Sequence, residues 1–399
     1  MGKRALVFGA SGTNEWILLS WNTTDHTHHL AGVTGWSFVN EFLNDYPKKG
    51  VWDGVVAMTN RPLKQEDSLW PTDSRLQIVS GVDLLASQDE IESALKEKVR
   101  GVDEITHVFY LGEQDRKQTG RHLLTILKAY KASPELEKEL EDAVTMFKRS
   151  TMAMDHLSPA LEFVVLQTGA KMYGCHLLEN HPTDYIHVPL SEDQPRLKPP
   201  YHDMLFYHPQ LDWIAEYAED KQWSWCDTRP DVIIGFVPNQ NFYSLATVLG
   251  IFLALFATVE GQGAECPFPG TTKSWNAKSN DSSSDMIARQ TIHLSLNLPK
   301  DMEGEGFNVA DAKQPESWSS KWPKLCAYFG LKGTDPPDED NETREVRKYI
   351  NNHIDVWKRL EEEHNLKQGV ANSDLTFKGF EAHSYPISIS LNDRELTLC

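Results

Sequence analysis

From Arg4 onward, short runs built almost wholly of Val, Ile, Leu, Ala and Phe alternate with longer amphipathic stretches, and this alternation limits the folds open to the chain. The expected strands are Arg4–Ala10, Gly54–Thr59, Leu76–Ser80, Thr106–Leu111, Phe163–Thr168 and Asp231–Phe236. Helical periodicity falls between them, at Trp36–Tyr46, Gln88–Lys98, Ser133–His156 and Gln210–Asp220. Strands that are apolar on both faces need cover on both faces, which a parallel sheet between two layers of helices supplies. The reading is an α/β fold with a doubly wound parallel sheet. Ligands of such sheets bind beyond the carboxyl ends of the strands.

Past residue 240 the pattern becomes helical, with segments expected at 243–259, 281–297, 316–330 and 342–364. The chain therefore divides into a sheet domain over 1–240 and a mainly helical, substrate-covering part over 241–399. Tyr243–Val259 is the most apolar stretch, but about 17 residues is the bottom of the spanning range, and a buried helix is the expectation. Thr334–Glu345 is rich in Asp, Glu and Pro and reads as a solvated loop, and Ile387–Leu391 as a weak edge strand.

A formal charge of −19 argues against nucleic acid and against an anionic membrane surface as partners. Five cysteines, at 175, 226, 266, 326 and 399, form no CxxC pair and are odd in number, which points to a reducing compartment. Met1-Gly-Lys-Arg runs straight into the first strand with no secretory signal, so a soluble, cytoplasmic protein is expected.

The first strand ends in Gly9-Ala-Ser11-Gly12, half of a dinucleotide fingerprint. Such a site needs glycines where the backbone meets the pyrophosphate, followed by a helix N-terminus that holds the anion. Here Thr13–Gly32 intervenes, polar and aromatic without period, before Val33-Thr34-Gly35-Trp36 opens a helix. With those 20 residues removed, Gly9, Gly12 and Gly35 form a continuous Gly-x-x-Gly-x-x-Gly. Gly112–Lys128 has the same character, and its removal joins Leu111 to Ala129. Two readings stand open: in-frame translation of unspliced introns, or a surface excursion that leaves the glycines adjacent in space.

The second strand leads into Asn60-Arg61-Pro62, where an NAD site usually carries an acid for the ribose hydroxyls. A cation suits a 2′-phosphate instead, so Arg61 points to NADPH. Asp83 follows the third strand, within reach of an adenine ring. The fifth strand runs into Gln167-Thr-Gly-Ala-Lys171-Met-Tyr173, placing a lysine where it would hold a nicotinamide ribose and steady an oxyanion.

That run resembles the signature of the progesterone 5β-reductase/iridoid synthase family of atypical short-chain dehydrogenases, and more closely its fungal members. Further matching stretches are Thr106–Tyr110, Glu192–Leu197, Phe206-Tyr207 with Gln210 and Asp212, Arg229-Pro230, Gly235-Phe236, Phe268–Gly270 and Phe307-Asn308. The likeness covers roughly residues 4–330 once the two insertions are discounted.

It implies a Rossmann fold and NADPH-dependent reduction of an activated C=C, an enone or enal, or of a carbonyl, in a small molecule of secondary metabolism. The implied cofactor contacts are Gly9, Ser11, Gly12, Val33, Thr34, Gly35, Arg61, Asp83, Gln167, Lys171 and Val232. The family's lysine falls on Lys171, but its catalytic tyrosine, the second of a Phe-Tyr-Tyr run, falls on His208. Three readings follow: the imidazole of His208 donates the proton, Tyr207 turns inward although one helical residue rotates the side chain by about 100°, or reduction has been lost. A non-redox isomerase or cyclase, and an impaired dinucleotide-binding protein, are the alternatives. Phe242 and Tyr243 are candidates for the pocket lining, and a homodimer is compatible with the reading.

Two further patterns carry less. Tyr217-x-x-x-Lys221 has the spacing of ordinary short-chain dehydrogenases but lies at the amino end of a strand, away from where ligands bind. His26, His28 and His29 lie inside the first insertion with no cysteine beside them, and no metal is expected.

Overall fold

The computed structural model describes residues 2–10, 33–60, 62–111, 134–174, 189–231, 233–238, 245–337, 346–368 and 370–372. Both insertions, Ser11, Gly12, Arg61, Val232, Phe242, Tyr243, the histidines at 26, 28 and 29, and the Ile387–Leu391 strand lie outside the described residues.

Seven parallel strands form one sheet: β1 (Lys3–Phe8), β2 (Trp52–Thr59), β3 (Leu76–Ser80), β4 (His107–Tyr110), β5 (Phe163–Gln167), β6 (Ser224–Pro230) and β7 (Gly306–Val309). Their order is β7-β6-β5-β4-β1-β2-β3. The order in which the strands are laid down reverses between β1 and β4, a parallel pair that matches Ala5 with His107 through Phe8 with Tyr110. That reversal opens a crevice at the carboxyl edge. The doubly wound parallel sheet expected from the alternation is the fold observed.

Successive side chains of each strand go to opposite faces, so every strand feeds two cores. Leu6, Phe8, Val56 and Val108 meet α2 (Gln88–Lys98), α3 (Pro134–Leu157) and α4 (Tyr207–Ala218) on one face. Ala5, Val7, Val55 and Phe109 meet α1 (Val33–Leu43) and α6 (Ser284–Asn297) on the other. There Phe42 packs edge-on against Trp52 at 4.5 Å between ring centres, with Phe38 and Phe109 beside them. A third core gathers α5 (Leu245–Glu260), α7 (Trp318–Tyr328), α8 (Val346–Asn352) and α9 (Ile354–Glu363) around Phe252, Phe268 and Trp322. α5 is thus a buried helix, and no described helix is long and apolar enough to cross a membrane.

The sixth strand departs from expectation. Among the described residues Asp231–Phe236 pairs only over Ile233–Ile234, with Ser282–Ser283, while the polar stretch Ser224–Pro230 takes the place in the main sheet. Burial would forbid Asp227 and Arg229 there singly; their mutual ion pair permits it. β7 and α6 come from beyond residue 240, so the sheet and its cover draw on chain from both sides of that point. The helix expected over 342–364 is two, parted at His353, whose ring bonds the Tyr349 carbonyl at 2.8 Å.

Candidate active site

β1 ends at Phe8 because Gly9 turns to φ 83°, a left-handed conformation that glycine adopts without steric cost. α1 descends onto that turn. A Cβ placed on Gly35 would stand 1.9 Å from the Gly9 carbonyl oxygen and 2.9 Å from Ala10 Cα. Gly9 and Gly35, separated by 26 positions in the chain, therefore touch backbone to backbone. Among the described residues the amides of the first turn of α1 have no intrahelical acceptors, and they open at the sheet's reversal point. Gln167, at the end of β5, donates from Nε2 to Thr34 Oγ1 at 3.2 Å, which joins two of the expected contact residues. The Gln167 Oε1 atom is buried without a hydrogen-bond partner among the described residues.

These residues fit a dinucleotide. The missing Cβ of Gly35 lets α1 bring its N-terminus against the β1 exit, where a pyrophosphate would meet its amides, and Gln167 has a polar atom in reserve beside them. Val33 packs against the segment leaving β6, where a Cβ on Gly235 would stand 2.8 Å from Val33 Cγ1. Asp83 is exposed beyond β3 and accepts from the Leu85 amide at 3.0 Å, shaping its own turn.

Beyond β5 a tight turn, Ala170–Tyr173, carries Lys171 on its exposed side. Its backbone closes through Met172 N to Gly169 O (3.0 Å) and Gly174 N to Lys171 O (2.9 Å). Tyr207, on the first turn of α4, does face this exit: its hydroxyl lies 3.7 Å from where a Cβ on Gly169 would sit. His208, the next residue of α4, is fully buried, because the short helix His202–Met204 folds over it and stacks the His202 ring on its own at 4.3 Å. Among the described residues neither ring nitrogen of His208 has a hydrogen-bond partner. Burial, then the charges of His202 and Arg196, push its pKa down to about 4 against the pull of Asp212.

Sequence reasoning passed over a buried polar network at the same edge. Asp227 accepts from Thr168 Oγ1 (2.8 Å) and from Arg229 Nε (2.8 Å) and Nη2 (3.1 Å). Arg229 Nη1 donates to Tyr173 Oη at 3.2 Å, and Tyr173 donates to Asn308 Oδ1 at 2.7 Å. Burial works against the charge of Arg229, yet Asp227 outweighs it and holds the pKa above the usual value. Desolvation lifts the Tyr173 hydroxyl to about 12 in spite of that guanidinium. The available signal was Asp227 and Arg229 two apart in a strand, hence on one face.

Tyr217 and Lys221 have a different employment. Both reach Asp155 Oδ2 at 2.7 Å, and Trp223 Nε1 reaches Oδ1 at 2.8 Å, at the amino end of β6. This is a brace between α3 and α4. Among the described residues no group of three His, Cys, Asp or Glu side chains is placed to hold a metal.

Residues 26–397 match the family model of the PRISE-like Rossmann-fold domain. The chain belongs to that family. Short chain dehydrogenase ausT of Aspergillus calidoustus is 34% identical over 309 residues, covering 77% of this chain and 72% of that one. The 3-oxo-Delta(4,5)-steroid 5-beta-reductase of Arabidopsis thaliana is 26% identical over 342 residues, covering 85% and 77%. A crystal structure of UDP-glucose 4-epimerase superposes with a TM-score of 0.53 at 11% identity, over 88% of this chain and 91% of that one, a likeness of fold. The resemblance carried by the Gln167–Tyr173 run is thereby borne out, and this PRISE-like chain is a member of the short-chain dehydrogenase/reductase superfamily.

Proposed function

We propose that this PRISE-like protein reduces an activated C=C, in an enone or enal, or a carbonyl, of a small molecule at the expense of NADPH. The observation that carries the reading is the contact of Gly35 with the Gly9 carbonyl at the sheet's reversal point, in a chain of this family. NADPH, when bound, supplies the hydride. Val33, Thr34 and Gly35 offer first-turn amides to the diphosphate, and Gln167 braces them. Arg61, two residues after β2, supports the choice of a 2′-phosphate. The named activity of the Arabidopsis relative, a steroid 5-beta-reductase, supports the same class of reaction.

The Lys171 ammonium stabilises negative charge on the substrate oxygen. His208 stands where the family's tyrosine falls and donates from a neutral imidazole, since its charged form is disfavoured until the pH nears 4. A buried imidazole with both nitrogens unpartnered costs stability, about 1–3 kcal/mol. With no partner among the described residues, its N–H is left to donate to a substrate oxygen. Tyr207 keeps its hydroxyl beside the Gly169 turn.

The test is NADPH consumption, followed by absorbance, over a panel of enones, enals and ketones, with NADH in parallel. The expected result is NADPH-preferring oxidation that falls about 100-fold in His208→Phe. NADPH binding without oxidation by any acceptor would favour the isomerase or cyclase reading, and no binding would overturn both. Wild-type turnover in His208→Phe would remove that residue from the mechanism.

A further inference from the structure

Lys171 sits on a four-residue turn, and short turns are held mainly by what anchors their ends. One end is tied by Thr168, whose amide reaches the Thr228 carbonyl at 2.8 Å and whose hydroxyl reaches Asp227. At the other end stands Tyr173, and its hydroxyl enters a chain of bonds with a fixed direction. Arginine can only donate, so the Tyr173 oxygen accepts from Arg229 and spends its single proton on Asn308 Oδ1. That sets the Asn308 amide so that Nδ2 donates to the Leu190 carbonyl at 3.2 Å. The Asn308 backbone amide meets Glu192 Oε1 at 2.9 Å. The Asp227 and Arg229 side chains are 1% and 12% exposed, so the chain lies in a low-dielectric interior where each bond is strong and each loss costly.

A second, independent observation shows that this arrangement is built in. Gly306 opens β7, and a Cβ there would stand 2.0 Å from Arg229 Nη2 and 2.2 Å from Cζ. The guanidinium occupies the space of the absent side chain. Pinned by Asp227 and Tyr173, it has no free direction in which to yield.

We infer that Arg229, Tyr173, Asn308 and Gly306 are positioning residues that hold the Lys171 turn against β6 and β7. The inference rests on the reductase reading for its catalytic consequence, but its structural content stands apart from it. Two variants test it: Tyr173→Phe, which deletes the relay oxygen, and Gly306→Ala, which removes no polar group and acts only by displacing Arg229.

Amide hydrogen exchange in the free protein is the first readout. Losing about one net hydrogen bond's worth of restraint should speed exchange at Met172 and Gly174 about fivefold in both variants. Amides of β1 and β2 should stay at the wild-type rate, as should all of these sites in the control Tyr217→Phe. Steady-state kinetics is the second: kcat falls about tenfold with KM little changed, because the lysine is misplaced and not removed. NADPH affinity stays within about threefold of wild type.

Unchanged exchange at Met172 and Gly174 in both variants would overturn the inference, as would a loosening shared by the whole sheet. A wild-type protein that oxidises no NADPH would sink the reductase reading instead, and exchange would still decide whether the network holds the turn.

Discussion

Replacing Gly35 by alanine puts one methyl group where the protein has none to spare. The new Cβ would begin 1.9 Å from the Gly9 carbonyl oxygen, and ordinary contact starts at 3.4 Å, so α1 must retreat by about 1.5 Å. The atoms it meets belong to the backbone of the β1 exit, which no rotamer change can move aside. Nor is α1 free to tilt, since Phe38, Val39 and Phe42 are fully buried beneath it. Two further ties hold it: Ser37 bonds Ser284 at 2.7 Å, and Glu41 takes Arg289 at 2.9 Å, both from α6. Overpacking of this kind costs about 3 kcal/mol. In a chain of this size that lowers the melting temperature by roughly 4 °C. NADPH binding should weaken by at least about tenfold, because the phosphate cradle is the part that opens. Thermal melts and NADPH fluorescence titrations read both effects. The control is Gly250→Ala in α5, where a Cβ meets nothing within 4 Å and alanine should be neutral or stabilise by up to about 1 kcal/mol. A Gly35→Ala protein with wild-type melting and wild-type NADPH affinity would refute the close-approach argument.

Arg61→Ala should weaken NADPH binding about tenfold or more while leaving NADH binding near its starting value, as the loss of a charge-assisted phosphate contact requires; equal losses for both cofactors would contradict it. Asp155→Ala strands three donors at the amino end of β6 and should destabilise by about 3 kcal/mol in urea denaturation, with no change in NADPH affinity. His107 and His208 are both held near pKa 4 by burial, below the usual 6.5. Between those values the unfolded chain binds more protons than the folded one, so stability is complete above about pH 6.5 and falls as the pH drops toward 4. Urea midpoints measured across that window should fall with acid, and less steeply in His208→Phe; a flat profile would show that these rings are not buried neutral.

How much of this was legible depends on what each element's burial demanded of its residues. β2 to β5 and α2 could be read because their apolar runs or helical period are local: Phe163–Gln167, for one, has no polar residue before its end. β6 could not. Its Ser-Trp-Cys-Asp-Thr-Arg-Pro reads as a surface loop until Asp227 is seen to neutralise Arg229 inside the sheet. For the same reason the run Asp231–Phe236 is the more strand-like by composition, yet it stands outside the main sheet. β7 is four residues long and gains its partner β6 from about 80 positions earlier, a pairing no local window contains. At the site, Lys171 and the glycines followed from position after a strand. Tyr207 was harder to place: helical geometry says only that it and His208 diverge, and it took the packing of α4 to show which faced the Gly169 turn.

Sequence alone therefore determined the class of fold and the residue types at the strand ends, because alternation and glycine spacing express backbone constraints within one stretch of chain, and the resemblance of its motifs pointed to the family. Tertiary structure decided which distant stretches meet. It set Gly35 on Gly9 across a long insertion, sealed His208 under His202, and threaded Arg229 through Tyr173 to Asn308. Those contacts depend on the pairing of charges and the absence of single methyl groups between segments far apart in the chain. Such energies exist only once the sheet has brought the segments together.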